Sequence, residues 1–465
     1  MLIRLTAHHP PTSKPLNFIR FKPEKMSIKT ILSLACAAFL SACGGGGSDT
    51  SPAPVAETPG CDVASQKDWL RAYMADQYFW TGVSPNPEPA GYATVQSYYD
   101  ALLFTGDATV PKDKWSYITP TAAYSQFFGA GKTMSYGVFV NGLEGVLPLR
   151  LRYVEPQSPA ALAGLKRGDI IASVNTRSAA ELMTSKDFSV LTPANVGDRL
   201  ELQIDSGSGP RAVTLTAATF DLTPVSVNQV LTLANGSKAG YVLLKDFISQ
   251  ADAPLTSVLA DFRAQRATEL IIDLRYNGGG LLSTSNLLAS LVAGNTAGGQ
   301  VFTQLNRNAR NQASNATFRL STAPAPTFGR VVVLTGARTC SASELLVNGL
   351  KPYVNVITVG AATCGKPFGF YPVDHCGNTF SAVNFETVNA AGQGRYYNGI
   401  APNCPAADDF KGTLGTVAEG LTAVAAEFLQ TGVCSTVSVP LGVPPGANSR
   451  RSALGFGGPV NQRPE

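Results

Sequence analysis

Leu270-Ile271-Ile272-Asp273-Leu274-Arg275-Tyr276-Asn277-Gly278-Gly279-Gly280 is the stretch that decides the fold class. A short apolar run with little alternation suits a strand covered on both faces. It empties into glycines, which let the backbone bend sharply and present N–H groups to a ligand. A helix is predicted next, over Leu281–Val292. Similar strand runs recur at Tyr241–Leu244, Val331–Thr335 and Val354–Val359, and a second helix is predicted over Ser343–Leu350. Strands alternating with helices make an α/β core, placed at residues 219–434. The glycines alone fit an ordinary strand-to-helix turn as well as a ligand site. A nucleotide phosphate loop is disfavoured, because the Gly-Lys-Ser/Thr ending is missing.

Two further core segments carry chemistry. Thr339-Cys340-Ser341-Ala342-Ser343-Glu344 follows one strand and opens a helix. A serine at the positive end of a helix has backbone N–H groups nearby that can stabilise an oxyanion. The same letters form a capping box, Ser341-x-x-Glu344, which needs no catalysis to explain it. Gly365-Lys366-Pro367-Phe368-Gly369-Phe370 sets a lysine among apolar neighbours. Such a setting disfavours the ammonium and suits a lysine base, whereas a lone loop lysine is ordinarily a solvated charge.

Upstream of the core the pattern changes. Ser158-Pro159-Ala160 is a helix start, Gly164 a stop, and Ile170–Val174 a buried strand. Leu200–Ile204 and Ala212–Thr216 alternate with period two around the turn Asp205–Gly209, as a hairpin does. The run from Ser158 to Ile171 resembles a PDZ domain of the bacterial protease type, over residues 135–218. That resemblance makes Ser135-Tyr136-Gly137-Val138 the loop that holds a peptide's terminal carboxylate in backbone N–H groups. It implies protein or peptide substrates with apolar C-termini; a gating domain that binds nothing tightly is the alternative. Residues 61–134 are rich in aromatics, with helices predicted at Gln66–Phe79 and Val95–Leu103, and form a small N-terminal helical cap.

The chain has 465 residues, enough for several domains, with 44% hydrophobic and 15% charged residues. Its net charge of +4 comes from residues 1–42, which alone carry +5, so the body is −1 and gives no case for nucleic-acid binding. Residues 1–42 form a leader whose true start is expected at Met26. A short basic region precedes the apolar run Ile31–Leu40 and Leu40-Ser41-Ala42-Cys43, as in an export signal. That ending resembles a bacterial lipobox, which implies cleavage before a lipidated Cys43. Ten apolar residues are too few to cross a bilayer core of about 30 Å. Residues 43–60 read as a flexible tether and 435–465 as a disordered tail. A body facing the periplasm on a lipid anchor follows, in the outer membrane if Gly44 is read by the same resemblance.

Six cysteines remain beyond the leader and Cys43, an even number that points to disulfides. The expected pairs are Cys340–Cys364, which would fix the two chemistry-bearing loops, Cys376–Cys404, which would close a strand-rich excursion, and Cys61–Cys434. Zinc is weak, since there is no Cys-x-x-Cys and His375 is the one histidine of the mature chain.

Strand–Asn-Gly-Gly-Gly, then Ser-Ala-Ser-Glu, then Gly-Lys, in this order and after a PDZ-like segment, resembles the C-terminal processing (tail-specific) serine peptidases over residues 61–430. The resemblance extends to the spacing of 25 positions from Ser341 to Lys366. It implies a multi-domain α/β protein with a protease core of the ClpP/crotonase-like type. It also implies a Ser–Lys dyad with Ser341 as nucleophile and Lys366 as base. The oxyanion donors would be the N–H groups of Ala342 and of Gly279 within Gly278–Gly280, with no metal or other cofactor. The chain departs from the family where several members carry a Gln four residues after the lysine; here that position is Phe370. His375, next to Asp374, invites a Ser–His pairing but ranks below Lys366, because nothing local aims it at Ser341. The competing function is a peptide- or ligand-binding lipoprotein on the same fold, as the interphotoreceptor retinoid-binding family uses it without proteolysis.

Overall fold

Alternate residues of a strand point to opposite faces, and the central sheet uses both. In the computed structural model, which describes residues 60–207, 209–322 and 328–434, this sheet has six strands. In spatial order they are Val225–Thr232, Lys238–Leu244, Glu269–Asp273, Arg330–Thr335, Val356–Gly360 and Cys404–Pro405. The first pair is antiparallel and the rest are parallel, with Ile272 opposite Val242 and Val333. Val242, Leu270, Ile272, Val331 and Val333 face the helices Asp252–Ala264, Leu282–Ala297 and Ala342–Leu350. Tyr241, Leu243, Ile271, Val332 and Leu334 face the helix Gly420–Thr431. Burial on both faces is why these strands are near-continuous apolar runs rather than alternating ones.

Two of those helices went unread in the sequence. Asp252–Ala264 carries its own start signal, Asp252 and Pro254 in the first turn, with Leu255, Val258, Leu259 and Phe262 on one buried stripe. A second sheet of the core pairs Ala316–Arg319, Val301–Arg307, Phe385–Val388 and Phe368–Gly369, and its last strand begins two residues after Lys366.

The PDZ-like region has its own apolar core, built on Leu149, Leu151, Ile171, Val174, Leu182, Leu202 and Ile204. Its main sheet runs Arg177–Ser178, Ile170–Val174, Arg199–Asp205, Pro210–Thr216, flanked by the helix Ala179–Ser185.

The cap is not made of residues 61–134 alone. Its helices Val63–Gln77 and Val95–Leu102 pack beside a three-stranded sheet in which Tyr117–Pro120 pairs with Asn378–Ser381, and that with Val373–His375. A hairpin from far down the chain therefore completes it. This corrects two of the expected disulfides. Cys340 does pair with Cys364, but Cys61 pairs with Cys376 and Cys404 with Cys434. Cys376 sits in the borrowed hairpin beside the start of the first cap helix. Cys404 opens the sixth strand of the core, where the chain after the helix Gly420–Thr431 returns. Strand order decides both partners, and no spacing along the chain reveals it. The expected leader, Cys43, the tether and the tail lie outside the described residues. Among the described residues, no helix is long and apolar enough to cross a membrane.

Candidate active site

Ser341 closes the tight connection from Arg330–Thr335 and caps the helix Ala342–Leu350. Its backbone has φ +56° and ψ −113°, a sparsely populated conformation for a residue with a side chain. Such geometry persists only where surrounding contacts impose it. The contact that imposes it here is Glu344. This carboxylate is fully buried and accepts the Ser341 N–H at 2.9 Å. It also accepts the Gly365 N–H at 2.8 Å, the Lys366 N–H at 2.9 Å and the Thr363 hydroxyl. One side chain thus ties the serine loop to the lysine loop. Burial pushes its pKa up, opposed by the hydrogen bonds from Thr363, Lys366, Gly365 and Ser341. The Cys340–Cys364 disulfide spans the same two loops. The capping box was legible in the sequence; its reach to the lysine loop was not, because that needs the fold.

Lys366 is 2% exposed. Desolvation brings its ammonium down to about 8, opposed by the negative charges of Asp113 and Glu344. Its Nζ lies 4.3 Å from the centroid of the Phe370 ring. Asp113 belongs to the cap, more than two hundred residues upstream, and no sequence signal tied it to the lysine.

The glycine loop closes on the serine from the other side. Gly279 has φ +103°, and a Cβ there would lie 2.8 Å from the Ser341 Cβ and 3.0 Å from the Ala342 nitrogen. Only glycine fits so near. Asn277 holds this loop to its surroundings: its Nδ2 donates to the Leu244 carbonyl at 2.9 Å, and its carbonyl accepts the Cys340 N–H at 3.1 Å. Its Oδ1 accepts the Gly279 N–H at 2.8 Å and the Ser343 hydroxyl at 3.0 Å. The Gly279 N–H expected in an oxyanion hole is therefore engaged with Asn277 in this conformation. The Ala342 N–H belongs to the first turn of its helix, where backbone donors have no intrahelical partner.

Just before the glycines, Asp273 and Arg275 enter a buried ion network. Arg275 pairs with Asp273 at 2.9 Å and with Glu419, and Arg167 of the PDZ-like region pairs with Asp408 at 2.6 Å. Arg338, three residues before Ser341, pairs with Glu144 of the same region at 3.1 Å. These links between the PDZ-like region and the core were not read from the sequence.

The remaining site residues fall elsewhere. His375 stacks on Trp69 of the cap at 3.9 Å between ring centres. In the loop Ser135–Val138, the Gly137 N–H is donated to the Ser135 hydroxyl at 3.0 Å, and Tyr136 is buried in the PDZ-like core. Two clusters have the makings of metal ligands among the described residues. In Cys340, Glu344 and Cys364 both sulfurs are spent in the disulfide. In Asp408, Asp409 and Glu419, Arg167 and Arg275 already neutralise two of the carboxylates.

Comparison with known proteins places this arrangement. A profile described as peptidase family S41 matches residues 238–404, one described as the peptidase S41 N-terminal domain matches 65–117, and one described as a PDZ domain matches 150–205. A carboxyl-terminal-processing protease of Picosynechococcus sp. is 30% identical over 247 residues, 51% of this chain and 54% of that protein. A protein of the same name from Synechocystis sp. is 28% identical over 239 residues, 51% and 52% of the two chains. The match thus spans about half the length of these curated relatives. Among solved structures, one from Bacteroides fragilis assigned as an S41 protease aligns with a TM-score of 0.63 at 23% identity, covering 78% of this chain and 97% of that one. A photosystem II D1 C-terminal processing protease aligns at 0.50 and 19%, covering 79% and 98%. The last two likenesses concern the fold. With its N-terminal domain, its PDZ domain and its core matched in order, this chain belongs to peptidase family S41.

Proposed function

We propose that this protein is a serine endopeptidase with a Ser341–Lys366 dyad. The observation that carries the proposal is the buried Glu344 carboxylate, which accepts N–H groups from both residues and so holds two loops of the chain at one point. Neutral Lys366 takes the proton of Ser341 as its oxygen attacks a peptide carbonyl. A lysine brought down to about 8 is neutral in a useful fraction at neutral pH, which an ordinary lysine is not. The Ala342 N–H at the helix start stabilises the tetrahedral oxyanion. Gly279 joins it if an incoming carbonyl draws its N–H from Asn277 Oδ1. Lys366 then protonates the leaving amine, and a water activated the same way releases the acyl-enzyme.

The PDZ domain supports substrates recognised through apolar C-terminal tails, with Ser135–Val138 as the carboxylate loop. A carboxylate would there compete with the Ser135 hydroxyl for the Gly137 N–H. The domain boundaries that go with this function are a cap at 61–134, completed by the hairpin 373–381, a PDZ domain at 135–218 and a core at 219–434. A lipid on Cys43 would hold the body in the bacterial cell envelope.

Fluorophosphonate labelling of the purified mature protein tests the dyad. Labelling should occur on Ser341 and vanish in Ser341→Ala. Lys366→Ala and Lys366→Arg should each lower its rate by about 10³-fold or more, and His375→Ala should retain most of it. Labelling that survives Lys366→Ala but not His375→Ala would falsify the assignment. No labelling, with tail-peptide binding intact, would favour a binding protein.

A further inference from the structure

The segment after Lys366 packs against the cap through two aromatic rings. Phe368 packs against Trp80 at 4.8 Å and Trp115 at 4.9 Å between ring centres. Phe370, just past the strand Phe368–Gly369, meets the edge of Tyr117 at 5.5 Å with the rings at 83°. Trp115 and Tyr117 belong to one short segment, which also contains Asp113. Its carboxylate is locked: Tyr78 Oη donates to it at 2.6 Å, the Trp115 N–H at 2.8 Å and the Ser116 N–H at 3.0 Å, with the Ser116 hydroxyl as a further donor. The Ser116 hydroxyl in turn accepts the Val383 N–H at 2.9 Å, so the segment is anchored to the core.

Lys366 has no carboxylate within ion-pair distance among the described residues; its Nζ instead sits on the Phe370 ring. We propose that Phe370 and Asp113 are positioning residues for the lysine base: the ring, steadied by Tyr117, seats the Nζ, and the cap carboxylate, two residues from the Trp115 that packs on Phe368, supplies a fixed charge. The catalytic base is then built jointly by the core and the N-terminal domain. This rests on the Ser341–Lys366 reading given above.

The consequence has a definite sign. An aromatic face and a nearby carboxylate both favour the ammonium, while burial disfavours it. The charged groups acting on Lys366 are Asp113 from the cap and Glu344 from the nucleophile helix; Lys114, beside Asp113, lies within the influence of Glu344. Removing the ring or the cap charge should therefore let Lys366 lose its proton at lower pH. The limb along which activity rises with pH should move to lower pH, toward higher relative activity in mild acid. A residue that merely supports the fold would lower the rate without moving that midpoint.

The test is the pH dependence of Ser341 labelling by a fluorophosphonate, on the full mature chain. Phe370→Leu should move the midpoint down by about one pH unit and lower the plateau rate, because the amine is no longer seated. Phe370→Tyr should restore both. Asp113→Asn should move the midpoint in the same direction with the smaller loss of plateau rate. Because Asp113 is buried and could be needed for folding, Phe370→Leu, at a half-buried position, decides the matter if the asparagine variant does not fold. Midpoints unchanged in Phe370→Leu, or moved upward, would overturn the proposal while leaving the dyad intact. Loss of Ser341-dependent labelling in the parent protein would instead overturn the dyad itself.

Discussion

The cap and the PDZ domain are both satellites of the same core, yet they are joined to it by different physics. The cap is interlocked. It borrows a hairpin, shares the Cys61–Cys376 disulfide and packs Trp80, Trp115 and Phe79 around Phe368. The PDZ domain has an apolar core of its own and meets the protease core through Tyr153 and Phe139, which join the apolar face of the central sheet, and through charges, Arg167 to Asp408 and Glu419 and Glu144 to Arg338. An apolar, interleaved seam loses its packing if the two sides part. A seam of mixed character around an independent core can open and re-form at lower cost. The difference teaches that the cap belongs to the fixed frame around Ser341 and Lys366, whereas the PDZ domain is the more separable unit.

Three substitutions can break or sharpen this contrast. The largest effect should come from Trp80→Ala, which empties the aromatic cluster. A loss of about 3–5 kcal/mol in unfolding free energy is expected by denaturant titration, together with slower Ser341 labelling as the lysine strand loses its support. Unaltered labelling in folded Trp80→Ala would show that the cap is dispensable to the site. Next is Arg167→Ala, which removes one cation from a buried network and leaves Arg275 to balance Asp408 and Glu419 alone. About 3 kcal/mol should be lost, but Ser341 labelling by a small probe should stay within about threefold, while cleavage of tail-bearing peptides falls further. Equal losses for probe and peptide would put this seam inside the catalytic geometry and erase the contrast. The smallest effect is expected from Glu144→Gln, at a pair still partly open to solvent. It should cost less than about 1 kcal/mol and make peptide cleavage less sensitive to salt; a cost several times larger would mean that this pair clamps the nucleophile loop.

Much of the core was legible because the information is local. The runs at Leu270–Leu274 and Val331–Thr335 became strands within a residue or so of their expected ends, since a strand covered on both faces needs an unbroken apolar run. The PDZ hairpin was equally plain, its alternation and glycine turn being properties of neighbouring residues. The helix Asp252–Ala264 shows a signal that was present and passed over. The cap hairpin is different in kind. Val373–His375 is short and partly polar, and it becomes a strand because Asn378–Ser381 pairs on its other side with Tyr117–Pro120.

The sequence by itself determined the class of the protein, the order of its domains, and the serine and lysine segments, because turns, caps and apolar periodicity act over a few residues. It also held the six cysteines and Phe370 in plain view, without saying what they would meet. Only the tertiary structure decided that Cys61 meets Cys376 and Cys404 meets Cys434, that Glu344 reaches across to Lys366, and that Trp115 and Tyr117 stand beside the lysine segment. Those contacts join residues tens to hundreds of positions apart. Strand order and helix docking bring them together, and these follow from burying the whole apolar surface at once rather than from any one segment's composition.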